Sequence, residues 1–161
     1  MNAMKEQFLN GEIILIDKPL GWTSFQVVNK IRWLIRSTFG IKKIKVGHAG
    51  TLDPLASGLL ILCTGKMTKS IEQFMGQEKE YTGTFTLGAT TPSYDLETEI
   101  DHTFPTDHIT EELLQTTLDQ FVGTIDQYPP VFSALKKDGK RLYEFAREGV
   151  EVEIPTRKVN I

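Results

Sequence analysis

The stretch "GLLILCTG", Gly58 to Gly65, is an unbroken apolar run of strand length fenced by glycines. A strand with no polar alternation has no face to give to water, so it predicts a strand covered on both sides at the centre of a sheet. Just ahead of it stands "GHAGTLDPLAS". Gly47 and Gly50 permit tight or left-handed backbone around His48, and Asp53 is held extended or in a turn by the proline behind it. The expected product is a short loop, pinned by the following strand, that presents a carboxylate. The ordinary alternative is an aspartate that closes its own turn by accepting backbone N–H bonds.

The elements around this loop read as a mixture. "GEIILIDKP" predicts a buried strand over Glu12–Asp17, stopped by Pro19. "GWTSFQVVNKIRWLIRSTFG" predicts a helix from about Ser24 to Thr38. Thr23 and Gln26 have capping-box spacing, Trp22 and Val27 could staple the start, and Val27, Val28, Ile31, Leu34 and Ile35 form one apolar stripe ended by Gly40. "IKKIKVG" is a short strand, and "MTKSIEQFMG" a short helix with Thr68 as its cap. "KEYTGTFTLG" alternates Tyr81, Phe85 and Leu87 against threonines, the pattern of a half-buried strand. A polar connection follows. Next comes an amphipathic helix in "TEELLQTTLDQF", capped by Thr110, with Leu114, Leu118 and Phe121 inward. "VGTIDQYPPVFSALKK" reads as strand, Pro-Pro break and strand, "KRLYEFAREG" as a short helix ended by Gly149, and "VEVEIPTRKVNI" as a last strand. Without a regular βαβ repeat this is an α+β fold, with a mixed, largely antiparallel sheet flanked by helices and incomplete at its C-terminus.

At 161 residues, with 40% hydrophobic and 24% charged residues, the chain suits one globular domain. No apolar run spans a bilayer, no secretory pattern opens the chain, and the single Cys63 excludes an internal disulfide; a cytoplasmic protein is expected. The net charge of −3 argues against nucleic acid, but its distribution does not. Lys30 to Lys69 holds eight Lys or Arg and one acid, whereas Thr91 to Asp126 holds nine acids and no Lys or Arg. Such segregation can give one face a positive field, although a solvated surface has the same composition. His102 and His108 are far from His48 in sequence and no Cys/His cluster exists, so no metal is expected.

"GHAGTLDPLASGLLIL" resembles the catalytic motif of the bacterial tRNA pseudouridine synthase B family, which modifies uridine 55 of the tRNA T-arm. "IDKPLGWTSFQVVNKIR", "GKMTKSIEQFMGQEKEYTGTFTLGATT" and "YPPVFSALKKDGKRLYEFAREGVEVEIPTRKVNI" resemble further blocks of that family, in order, from Gly11 to Ile161. The resemblance implies a pseudouridine synthase catalytic domain over residues 1–161, with a thumb-like segment at about 129–157. It assigns Asp53 as the catalytic carboxylate and Tyr81 as the residue stacking on the target base. RNA contacts fall to His48, Lys18, Lys66, Lys69, Lys136, Lys137, Lys140, Arg141 and Arg147. The implied partner is a tRNA T-arm stem-loop, acted on by a monomer without cofactor, metal or membrane. One departure is "TTPSYD", where the family carries Thr-Asp-Thr-x-Asp; Thr91, Ser93 and Asp95 keep a similar polar pattern. The family's arginine-bearing strand and C-terminal RNA-binding domain have no counterpart before Ile161. The expectation is therefore a fragment that is inactive or nearly so by itself. A guide-RNA-dependent synthase and a non-catalytic RNA-binding or RNA-folding module are the alternatives.

Overall fold

The computed structural model describes residues 2–129, 135–137, 139–150, 152 and 154–161. They form two compact units, Met1–Thr82 and Gly83–Ile161.

The first unit opens with helix α1 (Asn2–Asn10), followed by β1 (Ile13–Lys18), α2 (Ser24–Phe39), β2 (Val46–His48) and β3 (Gly58–Thr64). A 3₁₀ segment over Gly65–Ser70 then leads into α3 (Ile71–Met75). The strand order is β1-β3-β2, both pairs antiparallel, so the apolar run sits at the centre as its composition demands. Its core face carries Leu60 and Leu62, packed with Val46, Val27, Val28, Ile35, Ile41 and Ile44. The other face is covered only toward the end of the strand. Cys63 is buried there, and Ile71 lies so close over its partner Gly47 that a Cβ at Gly47 would come within 2.7 Å of it. Leu59 and Leu15 stand in water on that same face, which corrects the expectation of burial throughout. Burial pushes the Cys63 thiol up, which keeps it an inert packing group.

Helix α2 forms for the reasons its sequence carries. The Thr23 side chain accepts from Gln26 N–H, and the Gln26 side chain accepts from Thr23 N–H. Gly40 ends the helix in left-handed backbone, φ 61°. Trp22 and Trp33 are not core residues: both are exposed, and the Lys30 ammonium lies 5.0 Å from the Trp33 ring centroid. Helix α1 was not legible as a helix, because its amphipathic pattern is weak. It docks through Phe8 against Phe39, with ring centroids 5.4 Å apart, and ends at Gly11 (φ 128°), whose N–H donates to the Gln7 carbonyl. Thr68 does not cap α3; its hydroxyl donates back to the Gly65 carbonyl inside the 3₁₀ segment.

The alternating stretch around Tyr81 is not a strand. Residues 77–87 are irregular, and Tyr81 (70%), Phe85 and Leu87 are exposed. Alternation supplies side-chain faces, but a strand also needs a neighbour for its N–H and C=O groups. No described strand pairs with this segment.

In the second unit β4 (Ala89–Thr90) pairs with β5 (His102–Thr103), and the Thr90 hydroxyl holds the Asp101 carboxyl below its ordinary range. Helix α4 (Glu111–Leu118) is capped by Thr110, which accepts from Leu113 N–H. Leu114, Leu118 and Phe121, expected inward, are exposed, because no described element covers that face. β6 (Thr124–Gln127) pairs with the last strand, β9 (Arg157–Asn160). Between them β7 (Lys136–Lys137) and β8 (Lys140–Arg141) form a hairpin running into α5 (Leu142–Arg147). The strand expected after the Pro-Pro break lies outside the described residues, apart from Leu135 to Lys137.

Candidate active site

Asp53 lies in the loop between β2 and β3, and its side chain is exposed. Three contacts fix its backbone from the first unit. The buried Ser24 hydroxyl, at the first residue of α2, both donates to the Leu52 carbonyl and accepts from the Leu52 N–H, each at 3.0 Å. On the far side the Pro54 carbonyl accepts from Gly21 N–H at 2.7 Å. The turn itself closes through backbone, Ala56 N–H to the Asp53 carbonyl. Both neighbours of Asp53 are thus clamped, while its carboxylate takes no hydrogen bond and no ion pair among the described residues. Turn closure does not occupy this charge.

Gly21 is held in place by Lys18. That lysine, grouped above with the RNA-facing cations, is instead wholly buried at 0% exposure. Its ammonium donates to the Pro19 carbonyl at 3.1 Å and to the Trp22 carbonyl at 2.6 Å. The two bonds staple the turn from Pro19 to Trp22, whose Gly21 (φ 80°) adopts left-handed backbone and reaches Pro54. Lys18 is a positioning residue for the loop and is not placed to touch a phosphate. Its register partner on β3 is Gly58.

His48 ends β2, half-buried, and its Nδ1–H donates to the Gly50 carbonyl. That bond folds the start of the loop, and Nε2 makes no hydrogen bond among the described residues. Tyr81 makes no hydrogen bond or ring contact with the described residues. Lys66 and Lys69 are exposed on the 3₁₀ segment at the end of β3, Lys66 donating to Asn10 Oδ1 at 3.2 Å. Lys140 is paired with Glu148 and lies 4.8 Å from the Phe145 ring centroid. Lys136, Lys137, Arg141 and Arg147 sit on β7, β8 and α5, with side chains outside the described residues. Among the described residues no group of His, Cys, Asp and Glu could hold a metal.

The departure "TTPSYD" closes into a turn with the residues just after it. Ser93 Oγ donates to Asp95 Oδ1 at 2.6 Å, Glu97 N–H donates to the same oxygen, and the Thr91 hydroxyl donates to the Asp95 carbonyl. Tyr94 takes φ 61° to complete it.

Sequence reasoning missed Ser24. Thr23 already explains the helix cap, so the second hydroxyl of the Thr-Ser pair was a signal left over. Ser24→Ala will remove both bonds to Leu52 and leave its N–H and C=O short of partners. We expect about 1–3 kcal/mol of destabilisation in chemical denaturation, together with faster hydrogen exchange at Leu52.

A family model described as "TruB family pseudouridylate synthase (N terminal domain)" matches residues 36–161. A Flavobacterium johnsoniae protein named tRNA pseudouridine synthase B is 64% identical over 157 residues, covering 97% of this chain and 69% of its own length. Proteins of the same name from Phocaeicola vulgatus and Bacteroides thetaiotaomicron are each 60% identical over 154 residues, of which this chain spans 66% and 64% of the length. With the presented carboxylate, the clamped loop and these matches together, the chain belongs to the TruB family of pseudouridylate synthases.

Proposed function

We propose that this chain carries the catalytic carboxylate of an enzyme that isomerises uridine to pseudouridine in the T-arm loop of tRNA, at uridine 55. The observation that carries the proposal is the Asp53 carboxylate, exposed and unpartnered on a backbone clamped at Leu52 and Pro54. A group held in place before the substrate arrives loses little freedom in the reaction.

In the reaction the N1–C1′ bond breaks and a C5–C1′ bond forms, while the C5 hydrogen leaves as a proton and N1 takes one up. Nothing is oxidised and no second substrate is consumed, so the chemistry asks for no cofactor. The target base must leave the RNA stack, at a cost of a few kcal/mol. Asp53 then either adds at C1′ or the ring, or takes a proton from the ribose. Tyr81, on an exposed segment of the same unit, is proposed to stack on the everted base. His48 is proposed to abut the space the base vacates, while Lys66, Lys69, Lys136, Lys137, Lys140, Arg141 and Arg147 neutralise phosphates. We propose a cytoplasmic monomer; no helix among the described residues is long and apolar enough to cross a membrane.

The test is tritium release from a T-arm stem-loop labelled at C5 of its uridines. The protein assayed is this chain continued by the part of the Flavobacterium johnsoniae relative that the match leaves uncovered. Release that disappears when uridine 55 is replaced by cytidine is expected. No release, or release indifferent to that replacement, overturns the proposal.

A further inference from the structure

At the opposite end of β3 from Asp53 lies a cleft of about 320 Å³ lined by Lys43, Lys45, Lys66 and Lys69, together with Thr68 and the backbone of Gly65. Two stretches far apart in sequence build it. Gly65 N–H donates to the Lys45 carbonyl at 2.9 Å, and Val46 pairs with Thr64, so the approach to β2 and the exit from β3 run side by side. Gly65 (φ 51°) is also where α1 comes closest; a Cβ there would lie 2.2 Å from the Leu9 carbonyl oxygen. A side chain at Gly65 would therefore collide with the backbone of α1. All four lysines are exposed at the rim, and among the described residues only Lys66 of the four has a partner, the neutral Asn10 side chain. No carboxylate and no aromatic ring lines the cleft.

Four ammonium groups gathered without a counter-charge repel one another, and an anion in their midst relieves that repulsion. A site with cations and no stacking surface reads charge, not bases. We propose that this cleft binds a phosphate group of the RNA backbone, as an anchor separate from the catalytic loop. The choice of RNA rests on the function proposed above. The seven residues of β3 separate the cleft from the loop, a distance of roughly 20 Å at about 3.3 Å per residue. A nucleotide everted at Asp53 and a phosphate in the cleft then belong to different parts of one bound RNA. Lys43 and Lys45 extend the phosphate contacts beyond the residues the family resemblance assigns.

The test measures binding of a fluorescein-labelled T-arm stem-loop by the protein across a range of KCl concentrations. Lys43→Ala/Lys45→Ala is expected to weaken binding about tenfold near physiological salt. It should also flatten the log–log salt dependence by about 0.8, the share of one lost phosphate contact. Lys42→Ala, an exposed charge on the same loop outside the cleft, is expected to change the affinity less than twofold. An unchanged double variant overturns the cleft and leaves the RNA reading standing. So does a Lys42→Ala loss equal to that of a Lys45→Ala single variant measured beside it, because the effect is then a diffuse field. If the wild-type protein binds no RNA, the function proposed above fails and takes the RNA assignment with it. Titration with inorganic phosphate, followed at the Gly65 and Thr68 amides by NMR, then shows whether the cleft takes free phosphate instead.

Discussion

Asp53→Asn will abolish turnover and leave RNA affinity nearly intact. The substitution keeps shape and volume, and the clamps act on the backbone of Leu52 and Pro54, not on the Asp53 side chain. The loop therefore keeps its course, and stability should move by less than about 0.5 kcal/mol. An amide oxygen carries no full charge; it adds poorly to carbon and takes no proton at neutral pH. A loss on the order of 10³-fold or more in single-turnover tritium release is expected, in line with removing a general base or a nucleophile. Stem-loop binding, measured in parallel, should stay within about threefold, since phosphates dominate affinity. Residual turnover above a tenth of wild type would remove Asp53 from the chemistry. A collapse of both turnover and binding would make it a structural residue.

The second large effect is on stability. Leu62 is at 0% exposure on the central strand, with Ile14 opposite it on β1 and His48 opposite it on β2. It belongs to one cluster with Val27, Val28 and Ile35 of α2, so its side chain is enclosed from the sheet and from the helix at once. Leu62→Ala opens a hole that no neighbour can fill without leaving its own contacts. The expected cost is about 3 kcal/mol in urea denaturation followed by tryptophan fluorescence. Leu59, three residues earlier on the other face, is 64% exposed, and Leu59→Ala should cost no more than about 0.5 kcal/mol. Equal losses at the two positions would mean that the face of Leu59 is covered in solution.

The two leucines also mark how far the sequence could be read. The central place of β3 follows from its unbroken apolar run, and the start of α2 follows from its capping box, because both signals are local and strong. Which face of β3 is covered depends on what lies above it, and α3 reaches only as far as Gly47 and Cys63. The alternation around Tyr81 was legible as a pattern but not as a strand, since its hydrogen-bonding partner is not written in the segment itself. Asp53 was legible through its motif. Ser24 and Lys18 act on it through carbonyl and amide groups of other loops, and backbone groups leave no trace in residue identity. Lys43 and Lys45 were visible only as part of a basic run; their meeting with Lys66 and Lys69 is a consequence of strand pairing.

The enclosure of Lys18 has a chemical corollary. An amine-directed reagent, such as an activated ester, meets the other described lysines at or near the surface but finds this nitrogen sealed beneath the turn it holds. Acylation at that position must wait for the turn to lift. Its rate, set against that of Lys30 on the helix surface, would clock how often the hinge under the Asp53 loop springs open in the native protein.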